Sequence, residues 1–185
     1  TPENSDKIAI ISNNRPEWLF ADMAVQQIGA ILVPMYPTTS PNELEYILNE
    51  SEAKYIFVSS EELLEKVRDL KSDHLQGIYT FDKVDDAAHY SELLDLTTPE
   101  LLNEVADLKK QVPNSHVATI IYTSGTTGTP KGVMLTHSNI VSNVFFSKAS
   151  FPFPDQPKSK VLSFLPLNHI FEKMVTYIYL FSSIS

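Results

Sequence analysis

The chain has 185 residues, 14 basic and 23 acidic side chains, a formal net charge of −9 and no cysteine. This size, with 43% apolar and 10% aromatic residues, supports a packed core and excludes global disorder. The acidic balance argues against a nucleic-acid partner, and the absence of Cys excludes a disulfide framework, a thiol nucleophile and a zinc–thiolate site.

Lys7-Ile-Ala-Ile-Ile11 is a short apolar run suited to a buried strand. Asn14 then offers a helix N-cap, with Pro16 and Glu17 in the first turn. Trp18, Leu19, Met23, Val25 and Ile28 recur at helical spacing until Gly29 stops the helix. Residues 30–35 form the next strand candidate, which Pro34 confines to a sheet edge or to the strand's end. Ser40-Pro-Asn-Glu43 is a capping box opening a helix over 41–51. A strand follows over 54–58. Ser59-Ser-Glu-Glu62 then opens a helix whose apolar stripe is Leu63, Leu64, Val67 and Leu70. Residues 77–81 read as a strand, 82–97 as an acidic loop with a short helical turn, and 97–110 as a capped helix. Strands alternating with helices of this length predict an α/β fold with a mostly parallel sheet flanked by helices. A proline-rich surface loop is expected over 151–157, before a strand over 160–165.

Charge and glycine are both unevenly distributed. Residues 1–110 carry a net charge of −12 and residues 111–185 a net of +3, so an anion site belongs in the second part. Of the five glycines, Gly125, Gly128 and Gly132 fall within eight residues. They belong to Thr123-Ser-Gly-Thr-Thr-Gly-Thr-Pro-Lys-Gly132, which follows the β-branched run 117–122. Glycines let backbone amides converge on an anion, hydroxyls donate to phosphate oxygens, and Lys131 supplies the compensating charge. The loop is not a Walker A motif, because Pro130 and Gly132 stand where that pattern needs Gly and Ser or Thr, and residues 132–136 continue as a strand. No G-x-G-x-x-G or G-x-S-x-G occurs, so a dinucleotide fingerprint and a nucleophile elbow lose their main support. Paired acids such as Glu61-Glu62 and Asp85-Asp86 do not face a common point and read as solvated surface.

The stretch from Tyr122 to His137 resembles the signature loop of the adenylate-forming superfamily of acyl-CoA synthetases, luciferases and peptide-synthetase adenylation domains. Leu165-Pro-Leu-Asn-His-Ile-Phe-Glu-Lys173 resembles that family's next motif, in a form similar to long-chain fatty acid–CoA ligases, and so does the Asn14-Arg-Pro-Glu-Trp18 segment. The likeness implies ATP-dependent activation of a fatty acid to an acyl-adenylate, followed by transfer to coenzyme A. It implies that Thr123, Ser124, Gly125, Thr126, Thr127, Gly128, Thr129 and Lys131 clasp the ATP phosphates, with the Thr123 hydroxyl helping to coordinate Mg²⁺. Lys131 and His169 are then the candidate catalytic residues, Lys131 countering the charge of pyrophosphate and His169 lying between acyl pocket and adenylate.

His137 is expected to play a structural part at a helix start. Glu172 and Lys173 are expected on the solvated flank of a helix, and the apolar face of 170–181 is expected to pack as core. Asn168 departs from the Ser or aromatic residue that many relatives carry. The uncharged run 175–185 ends without a cap, and the family's downstream motifs and small C-terminal domain are missing. Residues 1–185 are therefore expected to be an incomplete N-terminal AMP-binding domain, inactive alone. The likeness further implies a cytoplasmic location, peripheral at a membrane. Two alternatives stay open: adenylation of a short-chain, aryl or amino acid, and a non-catalytic phosphate-binding module.

Overall fold

The computed structural model describes residues 5–123, 128–150 and 160–183. A six-stranded sheet has the order β4-β3-β1-β2-β5-β6, with β1 Lys7–Ile11, β2 Ile31–Met35, β3 Ala53–Val58, β4 Gly77–Thr80, β5 Val117–Thr123 and β6 Lys131–Thr136. The first five strands run parallel, and β6 turns back antiparallel to β5 as a hairpin. The helices are α1 Pro16–Gln27, α2 Pro41–Glu50, α3 Glu61–Arg68, α4 Ser91–Asp95, α5 Pro99–Gln111, α6 His137–Ser150 and α7 Ile170–Phe181.

Both faces of the parallel sheet are covered, which is why its strands read as continuous apolar runs. Ala9, Ile11, Val33 and Met35 pack against Leu44, Ile47 and Leu48 of α2 and Leu63, Leu64 and Val67 of α3. The alternate residues Ile8, Ile10 and Leu32 pack against Trp18 and Val25 of α1. Ala118 of β5 carries a third cluster with Ile140 and Val144 of α6 and Tyr177 and Ile178 of α7. No helix of the described residues is long and apolar enough to cross a membrane.

Local signals explain most boundaries. Ser40 and Glu43 form the reciprocal capping box, Ser60 caps α3 and Thr98 caps α5. Gly29 has φ of +72°, the left-handed conformation that ends α1. Arg15 ties three strand ends together: it donates to Glu17 at 2.8 Å, to the Ser59 carbonyl at 3.0 Å and to Asp82 at 2.9 Å. The pairing holds the Glu17 carboxyl below its ordinary range, chiefly through the Arg15 hydrogen bond.

Two expectations are corrected. Asn14 does not cap α1; Arg15 occupies that position without a side-chain capping bond, because the Asn14 amide is spent on residues far along the chain. Pro34 takes the second of its two expected places, near the end of a strand that is interior to the sheet. It lies two residues beyond the one registered β2–β5 pair, Leu32 with Thr119. Residues 160–165 are irregular rather than a strand. No described strand pairs with them, and Leu162 and Phe164 lie exposed. The expected loop at 151–157 lies outside the described residues.

Candidate active site

The chain leaves β1 for β2 on one side and later adds β3 on the other, so the carboxyl end of β1 is a topological switch point. Crevices at such points are where open α/β sheets bind ligands. A cavity of about 450 Å³ opens here, lined by Ser12, Asn13, Tyr36, Thr38, Ser163 and Asn168 among others. Burial raises the Tyr36 phenol above its ordinary range. A cavity of about 500 Å³ lies elsewhere, between the sheet and α1, α4 and α5, but its described lining carries no charged side chain and is remote in character from the chemistry.

The turn at 165–169 is fastened over the end of β1. The Asn14 amide donates to the Leu165 carbonyl at 2.7 Å and accepts from the Leu167 N–H at 2.8 Å. Asn168 is buried; it accepts from the Trp18 indole at 2.9 Å and donates to the Ser12 carbonyl at 3.0 Å. His169 follows directly, exposed, as the N-cap of α7. Its Nδ1 accepts from the Phe171 N–H at 3.1 Å, which leaves the proton of the neutral ring on Nε2, available to a ligand. Two separate causes therefore place Asn168 and His169: hydrogen bonds to the end of β1 and the start of a helix.

The glycine-rich loop joins β5 to β6, and Thr123 pairs with Lys131 to close it. Ser124, Gly125, Thr126 and Thr127 lie outside the described residues. Thr123, Gly128, Thr129 and Lys131 are exposed, and among the described residues Lys131 has no acidic partner. Gly128 has φ of +83°, and among the described residues a Cβ built there meets nothing within 4 Å. Because Leu32 pairs with Thr119, Thr123 falls level with Tyr36 four residues on, at the same carboxyl edge. The ends of β1 and β5 are separated by one intervening strand, about 10 Å at the usual spacing. One extended polyphosphate ligand can touch both the loop and the turn. The Thr123 hydroxyl is a hard oxygen donor of the kind Mg²⁺ accepts alongside substrate phosphates. It is one donor only, and among the described residues no cluster of His, Asp or Glu could hold a metal ion by itself.

Glu172 and Lys173 are not on a solvated flank. Both are buried, and Lys173 is completely so. Lys173 Nζ lies 3.0 Å from Asp22 of α1, with both side chains fully buried, and close to the Trp18 ring, 5.5 Å from its centroid. The Tyr177 hydroxyl also donates to Asp22; burial first, then the Asp22 charge and this bond, raise the phenol well above its ordinary value. Glu172 accepts from Ser163 at 2.6 Å. The solvated-flank expectation failed because an amphipathic reading assigns charges to solvent, whereas paired charges can be interior. The missed signal was in α1, where Asp22 interrupts the otherwise buried face of Trp18 and Val25.

His137 heads α6, as expected of a structural residue. Asn139 and Thr136 bond reciprocally at that helix start, at 3.0 Å and 3.1 Å. The His137 ring lies 6.3 Å from that of His116, and its buried Nε2 has no partner among the described residues. Burial, then the charges of His116 and Lys173, lower its pKa from the ordinary 6.5.

The model of the family described as AMP-binding enzyme matches residues 3–184. Fatty acyl-CoA synthetase A of Dictyostelium discoideum is 35% identical over 92% of this chain and 26% of its own length. Long-chain-fatty-acid–CoA ligase 1 of Homo sapiens is 32% identical over 91% of this chain and 26% of its own length. The chain spans about a quarter of the length of these curated relatives. Among solved structures, a long-chain-fatty-acid–CoA ligase of Archaeoglobus fulgidus matches with a TM-score of 0.72 and 25% identity, covering 97% of this chain and 34% of that one. A red-emitting luciferase of Phrixothrix hirtus shares the fold, with a TM-score of 0.75 at 19% identity over 97% of this chain and 35% of that one. Matched from one end of its described sheet to the other, the chain belongs to the AMP-binding enzyme family.

Proposed function

We propose that this chain is the N-terminal part of a longer ligase that activates a long-chain fatty acid with ATP and passes the acyl group to coenzyme A. The observation that carries the reading is the meeting of two elements at one carboxyl edge. These are a glycine-rich loop closed by Lys131, which has no acidic partner among the described residues, and a buttressed turn presenting His169. The long-chain assignment is supported by the names of the relatives, two of which act on fatty acids or long-chain fatty acids by name.

In this reading the carboxylate attacks the α-phosphorus of ATP and pyrophosphate leaves, so no protein nucleophile is needed. Lys131 holds the negative charge of the departing pyrophosphate. The hydroxyls of Ser124, Thr126, Thr127 and Thr129 and the loop amides at Gly125 and Gly128 bind phosphate oxygens. The His169 Nε2–H orients the carboxylate or the adenylate formed from it. Thr123 would hold Mg²⁺, which when bound supplies further neutralisation of the phosphate charge.

The test is acyl-CoA formation by the full-length protein with a panel of carboxylic acids. Long-chain fatty acids are expected to give the highest kcat/KM. Lys131→Ala is expected to lower turnover by about 10²–10³-fold, the range for losing one preorganised charge-stabilising group. Highest turnover with an aryl or amino acid would replace the substrate assignment. Unchanged turnover in Lys131→Ala would remove the loop from the reaction.

A further inference from the structure

The bonds that reach the turn and α7 come from one line of residues. Asn14, Trp18, Asp22 and Gln26 recur every four positions, so they share one face of α1 and of the loop that leads into it. Asn14 holds the main chain of Leu165 and Leu167, and Trp18 holds Asn168. Asp22 holds Lys173 and Tyr177. Gln26 donates to Asp22 at 2.8 Å and to the Tyr177 hydroxyl at 2.6 Å. Every member of the line contacts the segment 165–177.

Packing two helices does not need such a line. A buried ion pair often adds no stability over apolar residues of the same volume, because desolvation offsets the attraction. What it adds is direction. The Asp22 carboxylate receives the Lys173 ammonium, the Gln26 amide and the Tyr177 hydroxyl together, which fixes the rotation of α7 about its own axis. Lys173 lies one turn beyond His169, and its N–H bonds to the His169 carbonyl at 3.1 Å. The first turn of α7 therefore transmits the pair's position to the exposed ring, whose own orientation is held by the Phe171 N–H. Asp22 and Lys173 are fully buried and cannot touch a substrate.

Resting on the ligase reading above, we propose that the stripe Asn14–Trp18–Asp22–Gln26, acting through Asn168 and Lys173, is a positioning element that sets the place and ring orientation of His169 for the acid-activation step. Its members are positioning residues, not catalytic ones.

The test uses the full-length protein carrying Asp22→Asn together with Lys173→Met. This pair removes both charges, keeps one acceptor oxygen where Asp22 has two, and fills the volume of the lysine stem. Two measurements are made: fatty-acid-dependent ATP–pyrophosphate exchange, and the ¹⁵N signals of the His169 ring, assigned by their loss in His169→Gln. The variant is expected to fold, with kcat at least tenfold lower and the KM for ATP within twofold of the parent. The ring signals are expected to move from a fixed Nε2–H pattern toward an average of the two tautomers. A folded variant in which either measurement stays at the parental value overturns the proposal. If the parent shows no exchange with any acid, the ligase reading fails, and the ring signals alone decide the stripe. If the double variant does not fold, Trp18→Phe, which removes the indole bond to Asn168 and reduces the ring that faces Lys173 while leaving the Asp22–Lys173 pair, is judged by the same two measurements.

Discussion

The His137 imidazole has a buried Nε2 without a partner among the described residues, and the protonated ring is disfavoured there by burial first and by the charges of His116 and Lys173 after it. The folded state therefore binds this proton less readily than the unfolded chain. The associated stability is fully present above the ordinary value of 6.5 and is lost as the pH falls through that value toward the depressed one. Urea midpoints of the full-length protein at pH 7.5 and pH 5.5 should thus differ less in His137→Phe than in the parent. An equal drop in both would show that His137 is not the group responsible. At this scale the sequence placed His137 correctly at a helix start, because Thr136 and Asn139 carry a recognisable capping pattern. It misplaced Glu172 and Lys173. A charge on a helix next to apolar residues looks solvated until its partner is known, and Asp22 is 151 positions away.

Among the elements, the β5–β6 hairpin shows how a glycine can serve packing as well as anion binding. Gly132 was read as part of the phosphate loop, yet it pairs with Tyr122, and a Cβ at Gly132 would stand 2.8 Å from the Ile120 Cγ2 and 3.2 Å from the Tyr122 ring. Gly132→Ala should therefore force the Ile120 side chain aside and destabilise the hairpin by about 1–3 kcal/mol, the usual range for overpacking. Hydrogen exchange of the β5 and β6 amides should accelerate while that of β1 and β3 stays unchanged. An unaltered hairpin would show that Ile120 adjusts freely. Strand existence was readable wherever both neighbours lie within the chain, as for β1 with its β2 and β3 partners. Residues 160–165 have the composition of a strand but no described partner, and composition alone cannot supply one. Pro34, by contrast, follows the hydrogen-bonding rule: it lies near the end of its strand, whose pairing to β5 registers only at Leu32.

For the whole molecule, the alternation of strands and helices, the caps at Ser40, Ser60 and Thr98 and the glycine-rich sequence between β5 and β6 are legible in the sequence, since each depends on residues close together in the chain. The role of Asn14 is not, because its partners lie far along it. The candidate site was visible only in halves. The loop at 123–131 and the motif at 165–173 each carry their own signature, but what unites them is the strand order, which brings β1, β2 and β5 side by side. The polar stripe of α1 was hidden for the same reason: its four residues have meaning only against a helix about 150 positions later. The charge division now has a physical setting as well. The acidic part forms the βα scaffold, whereas the mildly basic part supplies the glycine-rich loop and Lys131.

The central claim is that one polyphosphate-bearing ligand engages both the loop and the turn at the carboxyl edge. Hydrogen exchange of the full-length protein with and without saturating ATP and a long-chain fatty acid tests it directly. The account predicts slowed exchange in peptides covering 123–136 and in peptides covering 165–173, appearing together. Protection of neither segment at saturation, or of one without the other, would contradict it.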